Sequence, residues 1–212
     1  MKFDFLTIEG NIGSGKTSLA KKIASDFNGK LILEEFADNP FLPKFYKDSK
    51  PNAFPLELFF MAERFHQLSG KESEADLFSE FTVSDYSFFK SRLFAQNNLG
   101  QDELNLFNRL YNIMFPTVKK PDLLIYLHAD VGRLQENIKN RGREYEQNIS
   151  NNYLKKIEKK YFDYLKKQND FPVLILDVSK ENFIQDQKIY NQIIDEIKEF
   201  EEDVRIKSLI LG

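Results

Sequence analysis

Eight residues near the amino terminus, Gly10-Asn11-Ile12-Gly13-Ser14-Gly15-Lys16-Thr17, fit the spacing G-x-x-x-x-G-K-[ST]. Backbone N–H groups of Gly13 to Lys16 at a helix N-terminus can surround a phosphate chain with donors and the positive end of a dipole. Gly10 and Gly15 permit the backbone angles that such a turn requires. Lys16 adds a full charge near the β- and γ-phosphates, while the Thr17 hydroxyl can take one Mg²⁺ position. A pattern this loose arises by chance in unrelated chains, so its flanks decide. The apolar and β-branched run from Phe3 to Ile8 precedes it, and Leu19, Ile23 and Phe27 follow at helical spacing. Strand, loop and helix in that order make residues 10–17 a site for the phosphates of ATP or GTP.

Acids and bases farther along can complete such a site. Ile32-Leu33-Glu34-Glu35 and Phe81-Thr82-Val83-Ser84-Asp85 place carboxylates after the second and third apolar runs. That is the edge where open α/β sheets bind ligands. A carboxylate there can hold Mg²⁺ or a water on it, and another can orient an acceptor hydroxyl. Alone, strand-end acids are ordinarily just solvated; beside a P-loop they have a use. Asn140-Arg141-Gly142-Arg143-Glu144 reads as a lid that brings guanidinium groups over a transferring phosphoryl. A basic helix end complementing its dipole explains one arginine better than two.

The elements that must position these groups are legible as alternation. Leu31 to Leu33, Phe81 to Val83, Leu123 to Leu127 and Val173 to Leu176 are further strand-length runs after the first. Helical spacing occupies about 40–48, 53–69, 86–97, 101–116, 130–141, 147–168 and 184–201. This predicts an α/β fold with an open five-stranded parallel sheet, helices on both faces and an Arg-containing lid at about 138–149. Asp48 to Asn52 reads as a turn and Ser69 to Ala75 as a charged loop. The lysines at 155, 156, 159 and 160 read as the solvated face of a helix that buries Leu154, Ile157, Tyr161 and Leu165.

Bulk properties narrow the class. The 212 residues suit one domain, 1–212. With 30 basic against 33 acidic residues the net charge is -3, which argues against nucleic-acid binding. The absence of Cys excludes a disulfide framework, a thiolate metal site and a catalytic cysteine. No apolar run approaches the length of a membrane span, and a cytoplasmic enzyme is the expectation. No Asn-Lys-x-Asp occurs to read guanine as GTPases do, which leaves small phosphotransferases.

The combination "IEGNIGSGKT", "LEEFADNPFLPKFYKD", "LELFFMAERFHQL", "SDYSFF", "KKPDLLIYL" and "RGREYEQ" resembles the bacterial deoxyguanosine and deoxyadenosine kinases from about Asp4 to Phe200. The resemblance implies a deoxynucleoside acceptor, ATP and Mg²⁺, and a homodimer. It makes Glu34 the base or orienting group for the 5′-hydroxyl and Lys16 a phosphate clamp. Asp85 would lie near Mg²⁺, Arg141 and Arg143 would be lid arginines, and Tyr46 and Glu146 would hold the sugar 3′-hydroxyl. The base would lie against Phe residues beside the helix carrying Glu57 and Arg64.

Glu57 and Arg64 are two helical turns apart and share a face. The family commonly has Gln where this chain has Glu57. Gln both donates and accepts, whereas an ionised Glu only accepts, which suits the adjacent N1–H and 2-amino donors of guanine. Arg64 would then donate to O6 or N7. Deoxyguanosine is the favoured acceptor, with a broader deoxyadenosine/deoxycytidine kinase, a thymidylate kinase-like enzyme or a non-catalytic nucleotide switch as alternatives.

Three positions depart from the family pattern. Tyr86 replaces an Arg that contacts phosphate and the general base, and Lys90, one turn on, is the expected substitute. Ser91 replaces an Asp partner of Arg64, which should leave Arg64 freer to face the nucleobase. Asn137 replaces a lid Arg, a role that Lys139 could take in part.

Overall fold

The computed structural model describes residues 1–34, 39–69, 78–201 and 203–212. Six parallel strands are β1 (Phe5–Gly10), β2 (Gly29–Ile32), β3 (Phe81–Ser84), β4 (Leu123–His128), β5 (Val173–Asp177) and β6 (Ile206–Ile210). Their order across the sheet is β2-β3-β1-β4-β5-β6. The expected five strands are all present, and β6 is added beyond β5 by pairing Val173 with Ile206. This strand escaped sequence reading because it is an edge strand. Lys207 and Ser208 interrupt its apolar run, and Ile210 is 76% exposed.

The helices are α1 (Lys16–Asp26), α2 (Leu42–Lys47), α3 (Ser49–Ser69), α4 (Phe89–Asn98), α5 (Gln101–Met114), α6 (Val131–Arg141), α7 (Asn151–Leu165) and α8 (Gln187–Lys198). Two boundaries differ from expectation for local reasons. The predicted turn around Pro51 is the first turn of α3, where a proline sacrifices no intrahelical donor. The start of α7 is set by the Ser150 hydroxyl, which accepts from Tyr153 N, so residues 147–150 stay outside the helix. Residues 70–75 of the predicted charged loop lie outside the described residues.

Period-two alternation divides the core between the two faces. Leu6 and Ile8 of β1 pack with Leu123, Ile125 and Leu127 of β4 against Leu19 and Ile23 of α1 and Ile193 and Ile197 of α8. On the opposite face Phe5 meets Met61 and Leu68 of α3, and Leu124 and Tyr126 meet Ile157 and Tyr161 of α7. Strand order reverses at β1, which lies between β3 and β4, so the crevice at its carboxyl end is the natural ligand site of such a sheet. Among the described residues no helix is long and apolar enough to cross a membrane.

Candidate active site

The loop after β1 leaves the sheet at that crevice. Gly15 has φ +93, and a Cβ there would stand 2.7 Å from the Phe183 ring, so both conformation and space require glycine. Gly10, at φ +152, would press a Cβ to 2.6 Å from the Leu127 carbonyl oxygen. Several bonds hold the turn: Ile12 N donates to Asn11 Oδ1 at 2.9 Å, Ser14 N to Asn11 O at 3.2 Å, and Asn11 Nδ2 to Leu154 O of α7 at 2.8 Å. Lys16 Nζ donates to Asn11 O at 2.8 Å. Burial, with Lys90 nearby, pushes the Lys16 ammonium down to about 8 against the pull of Glu9, Glu34 and Asp85.

Glu9, immediately before the loop, is a residue the sequence reading passed over. It is fully buried and accepts from Ser87 N at 2.8 Å, Ser87 Oγ at 2.9 Å, Tyr161 Oη at 2.8 Å and Gly10 N at 3.2 Å. Its carboxylate thereby ties the root of the P-loop to the segment after β3 and to α7. The available signal was an acid closing an otherwise apolar strand.

The ends of β2 and β3 meet where the strand register predicts. Asp85 Oδ1 accepts from Glu34 N at 2.7 Å, and Asp85 Oδ2 accepts from the Thr17 hydroxyl. A hydroxyl and a carboxylate side by side at the loop are hard oxygen donors of the kind Mg²⁺ takes. Glu34 Oε1 receives Arg64 Nε at 2.8 Å and Nη2 at 2.6 Å, while Oε2 receives Lys90 Nζ at 2.5 Å. Burial alone would raise this carboxyl, but Lys90 and Arg64 hold it well below the usual carboxylate range. Its neighbour Glu35 lies outside the described residues.

One sequence expectation changes here. Arg64 is not left unneutralised by Ser91: its Nη1 donates to Ser91 Oγ at 2.8 Å while the rest of its fork grips Glu34. A carboxylate this enclosed must be paired, and the nearest guanidinium supplies the pairing. Tyr86 is turned away into the core beside Phe5 and Met61, its hydroxyl donating to Gln67 Oε1. Lys90 Nζ lies 2.5 Å from Glu34 Oε2, on the side of the carboxylate away from Arg64.

Two clefts open on this arrangement. One, of about 790 Å³, is lined by Glu34, Tyr46, Glu57, Arg64, Asp85, Lys90 and Glu146, with Leu42, Phe45, Leu56, Phe60 and Phe94 as apolar walls. Flat apolar walls facing hydrogen-bonding side chains suit a small polar heterocyclic ligand. The other, of about 1260 Å³, runs along Gly13 to Ser18 between α6 and the segment Val178 to Ile184. Lys16, Thr17, Arg141 and Arg143 line both, so they form a wall common to the two clefts.

Gly142, at φ +70, ends α6, and a single 3-10 turn over Glu144–Glu146 follows. Glu146 is buried and accepts from Arg141 and, at 3.1 Å, from Arg143 Nη1. The lid arginines therefore rest on the acid expected at the sugar. Tyr46 lies alongside, its ring stacked on Tyr145 at 5.9 Å, and burial raises its hydroxyl well above the usual tyrosine range. Asn137 donates to Gly13 O at 2.8 Å, tethering α6 to the P-loop. Lys139 is exposed and lines neither cleft.

At the far end of the first cleft Glu57 is buried and accepts from Asn98 Nδ2 at 2.6 Å. Asn98 also reaches Tyr153 Oη at 3.3 Å. Neither Asn98 nor Tyr153 was singled out from sequence; both sit on helices whose spacing reads simply as core and surface.

A family model described as deoxynucleoside kinase matches residues 6–202. A deoxyguanosine kinase of Bacillus subtilis is 31% identical over 92% of this chain and 96% of its own length. A deoxyadenosine/deoxycytidine kinase of the same organism is 30% identical over 92% of each. A solved structure of deoxyadenosine kinase from M. mycoides, with products dCMP and a flexible dCDP bound, superposes with a TM-score of 0.79. It covers 93% of this chain and all of that one at 22% identity, a likeness of fold.

Proposed function

The chain belongs to the deoxynucleoside kinase family, and from that premise we propose that it transfers the γ-phosphoryl of Mg-ATP to the 5′-hydroxyl of purine deoxynucleosides, deoxyguanosine foremost, for deoxynucleotide salvage. The observation that carries this reading is the shared wall: Lys16, Thr17, Arg141 and Arg143 line both the P-loop cleft and the cleft holding Glu34. A triphosphate on the loop would point its terminal phosphate through that wall at an acceptor lying on Glu34.

In this reading Gly10 to Thr17 cradle the triphosphate, and Thr17 with Asp85 would hold Mg²⁺, which would supply charge neutralisation to the transferring phosphoryl. Glu34, held ionised by Arg64 and Lys90, is a weak base. Its task is to accept the 5′-hydroxyl hydrogen bond and align the oxygen, which is the larger part of catalysis in a loose phosphoryl transfer. Arg141 and Arg143 would exchange Glu146 for the transferring phosphoryl as the segment 138–149 closes, leaving Glu146 and Tyr46 to the 3′-hydroxyl.

Glu57 supports guanine, since a carboxylate accepts from two adjacent donors and cannot donate. Arg64 is assigned to positioning Glu34 rather than to reading the base. The homodimer belongs to the same reading, for which α5 offers Leu106 and Ile113, exposed and two turns apart. Incubation with Mg-ATP and each of the four deoxynucleosides, and in parallel with dTMP, followed by separation of mono- and diphosphates, tests the assignment. Fastest turnover of deoxyguanosine is expected, whereas turnover of dTMP alone would make the protein a monophosphate kinase instead.

A further inference from the structure

Glu57 is a buried acid without a cation of its own. Its Oε1 accepts from Asn98, and its Oε2 is buried with no partner among the described residues. The charged groups facing it are Arg64 on the same helix, Lys90 on α4 and Glu34 after β2, with Tyr153 on α7 and Tyr46 on α2 as the titratable hydroxyls across the cleft. Both cations are bonded to Glu34. Because Asn98 donates to Oε1, any proton on this carboxyl belongs on Oε2, the oxygen left over. A neutral carboxylic acid carries one donor and one acceptor side by side, as a Gln amide does, while the carboxylate carries two acceptors.

We propose that Glu57 reads the base in two protonation states, accepting N1–H and the 2-amino group of guanine as the carboxylate, and exchanging a donor–acceptor pair with adenine as the neutral acid. The proposal rests on the reading that Glu57 faces the nucleobase. In the neutral state Oε1 accepts the 6-amino hydrogen and the Oε2 hydroxyl donates to adenine N1. The same pair would serve the 4-amino group and N3 of cytosine. Burial supports the switch by pushing the Glu57 carboxyl up to about 7, against the Asn98 hydrogen bond and Arg64. One pocket would thus change its preferred passenger across the ordinary pH range, where a Gln pocket would not.

The quantity that tests this is the ratio of kcat/KM for deoxyguanosine to that for deoxyadenosine. If each state reads only its own base, the ratio of populations changes about tenfold per pH unit. Lys16, lowered to about 8, also titrates near this range, but it faces the donor and scales both substrates alike. From about pH 6 to about pH 8 the ratio should rise on the order of 100-fold, and a rise below about threefold overturns the proposal. In Glu57→Gln, which keeps shape and the Asn98 bond, the ratio should favour deoxyadenosine and stay flat with pH.

The variant also separates two kinds of failure. If Glu57→Gln has the wild-type ratio at every pH while still binding ATP, Glu57 does not face the base, and the underlying reading fails. If the variant's ratio shifts but the wild type's is flat, only the two-state proposal fails. Calorimetry near pH 7 in buffers of different ionisation heat gives a second readout independent of turnover. Deoxyguanosine should release about half a proton on binding and deoxyadenosine take up about half; no proton exchange with either overturns the proposal.

Discussion

Replacing Glu57 by Gln should stabilise the protein, by an amount that depends on pH in a definite way. The side chain is 1% exposed, and its carboxyl rises from an ordinary 4.5 to about 7, chiefly through burial. Below the lower value both folded and unfolded chains hold the proton, and the stability associated with the protonated form is fully present. As pH rises through the window the unfolded chain loses its proton first. The folded chain must then either keep one or bury a charge, so stability is lost, completely so once the pH has passed the folded value. At about 1.4 kcal/mol per unit this amounts to about 3 kcal/mol. The difference in unfolding free energy between variant and wild type should therefore climb by that amount between about pH 4.5 and about pH 7.5, then level off. Groups common to both proteins cancel in the difference. With no Trp in the chain, far-UV circular dichroism through a urea titration is the direct assay. Expressed as melting temperature, the plateau corresponds to roughly 6 to 12 °C for a chain of this length. A difference that is constant with pH within about 0.5 kcal/mol would refute the reasoning, as would one that falls as pH rises.

Lys90→Ala should lower kcat about 10- to 100-fold, because Glu34 loses one of its two cations and the acceptor oxygen its alignment, and Lys90→Arg should restore part of it. Unaltered turnover in Lys90→Ala would remove Lys90 from the site. Tyr86→Phe should leave kcat unchanged while costing about 1 to 3 kcal/mol in urea unfolding, since its buried hydroxyl donates to Gln67 in the core. Loss of turnover without loss of stability would return Tyr86 to the active site. Tyr46→Phe should reduce kcat/KM about 5- to 30-fold for deoxyguanosine but hardly at all for 2′,3′-dideoxyguanosine, which lacks the 3′-hydroxyl to be held. Equal losses with both substrates would show that Tyr46 acts through packing on Tyr145.

What could be read from sequence follows from how locally each feature is determined. The P-loop is legible because eight contiguous residues carry both its conformation and its chemistry. Glu34 and Asp85 are legible because strand ends are, and a parallel sheet brings its strand ends to one edge. The central strands β1, β3 and β4, covered on both faces, announce themselves as apolar and β-branched runs, whereas β6 at the edge mixes Lys207 and Ser208 into its run. The partner of Arg64 could not be found this way. Glu57 is seven residues off on the same helix, and Glu34 thirty residues off beyond the end of β2; only the tertiary fold makes Glu34 the one it grips. Asn98 and Tyr153 owe their place beside Glu57 to the approach of α4 and α7, which no spacing along the chain encodes.

The central claim is that one wall joins a triphosphate site to an acceptor held by Glu34. It is tested most directly by incubating wild type and Glu34→Gln with Mg-ATP labelled at the γ-phosphate and with deoxyguanosine, and following label in 5′-dGMP. The wild type should pass label to the nucleoside, and the variant should bind ATP as well but transfer it at least about 100-fold more slowly. Label reaching dGMP at the same rate in both proteins would contradict the account, as would a wild type that binds ATP and labels no nucleoside.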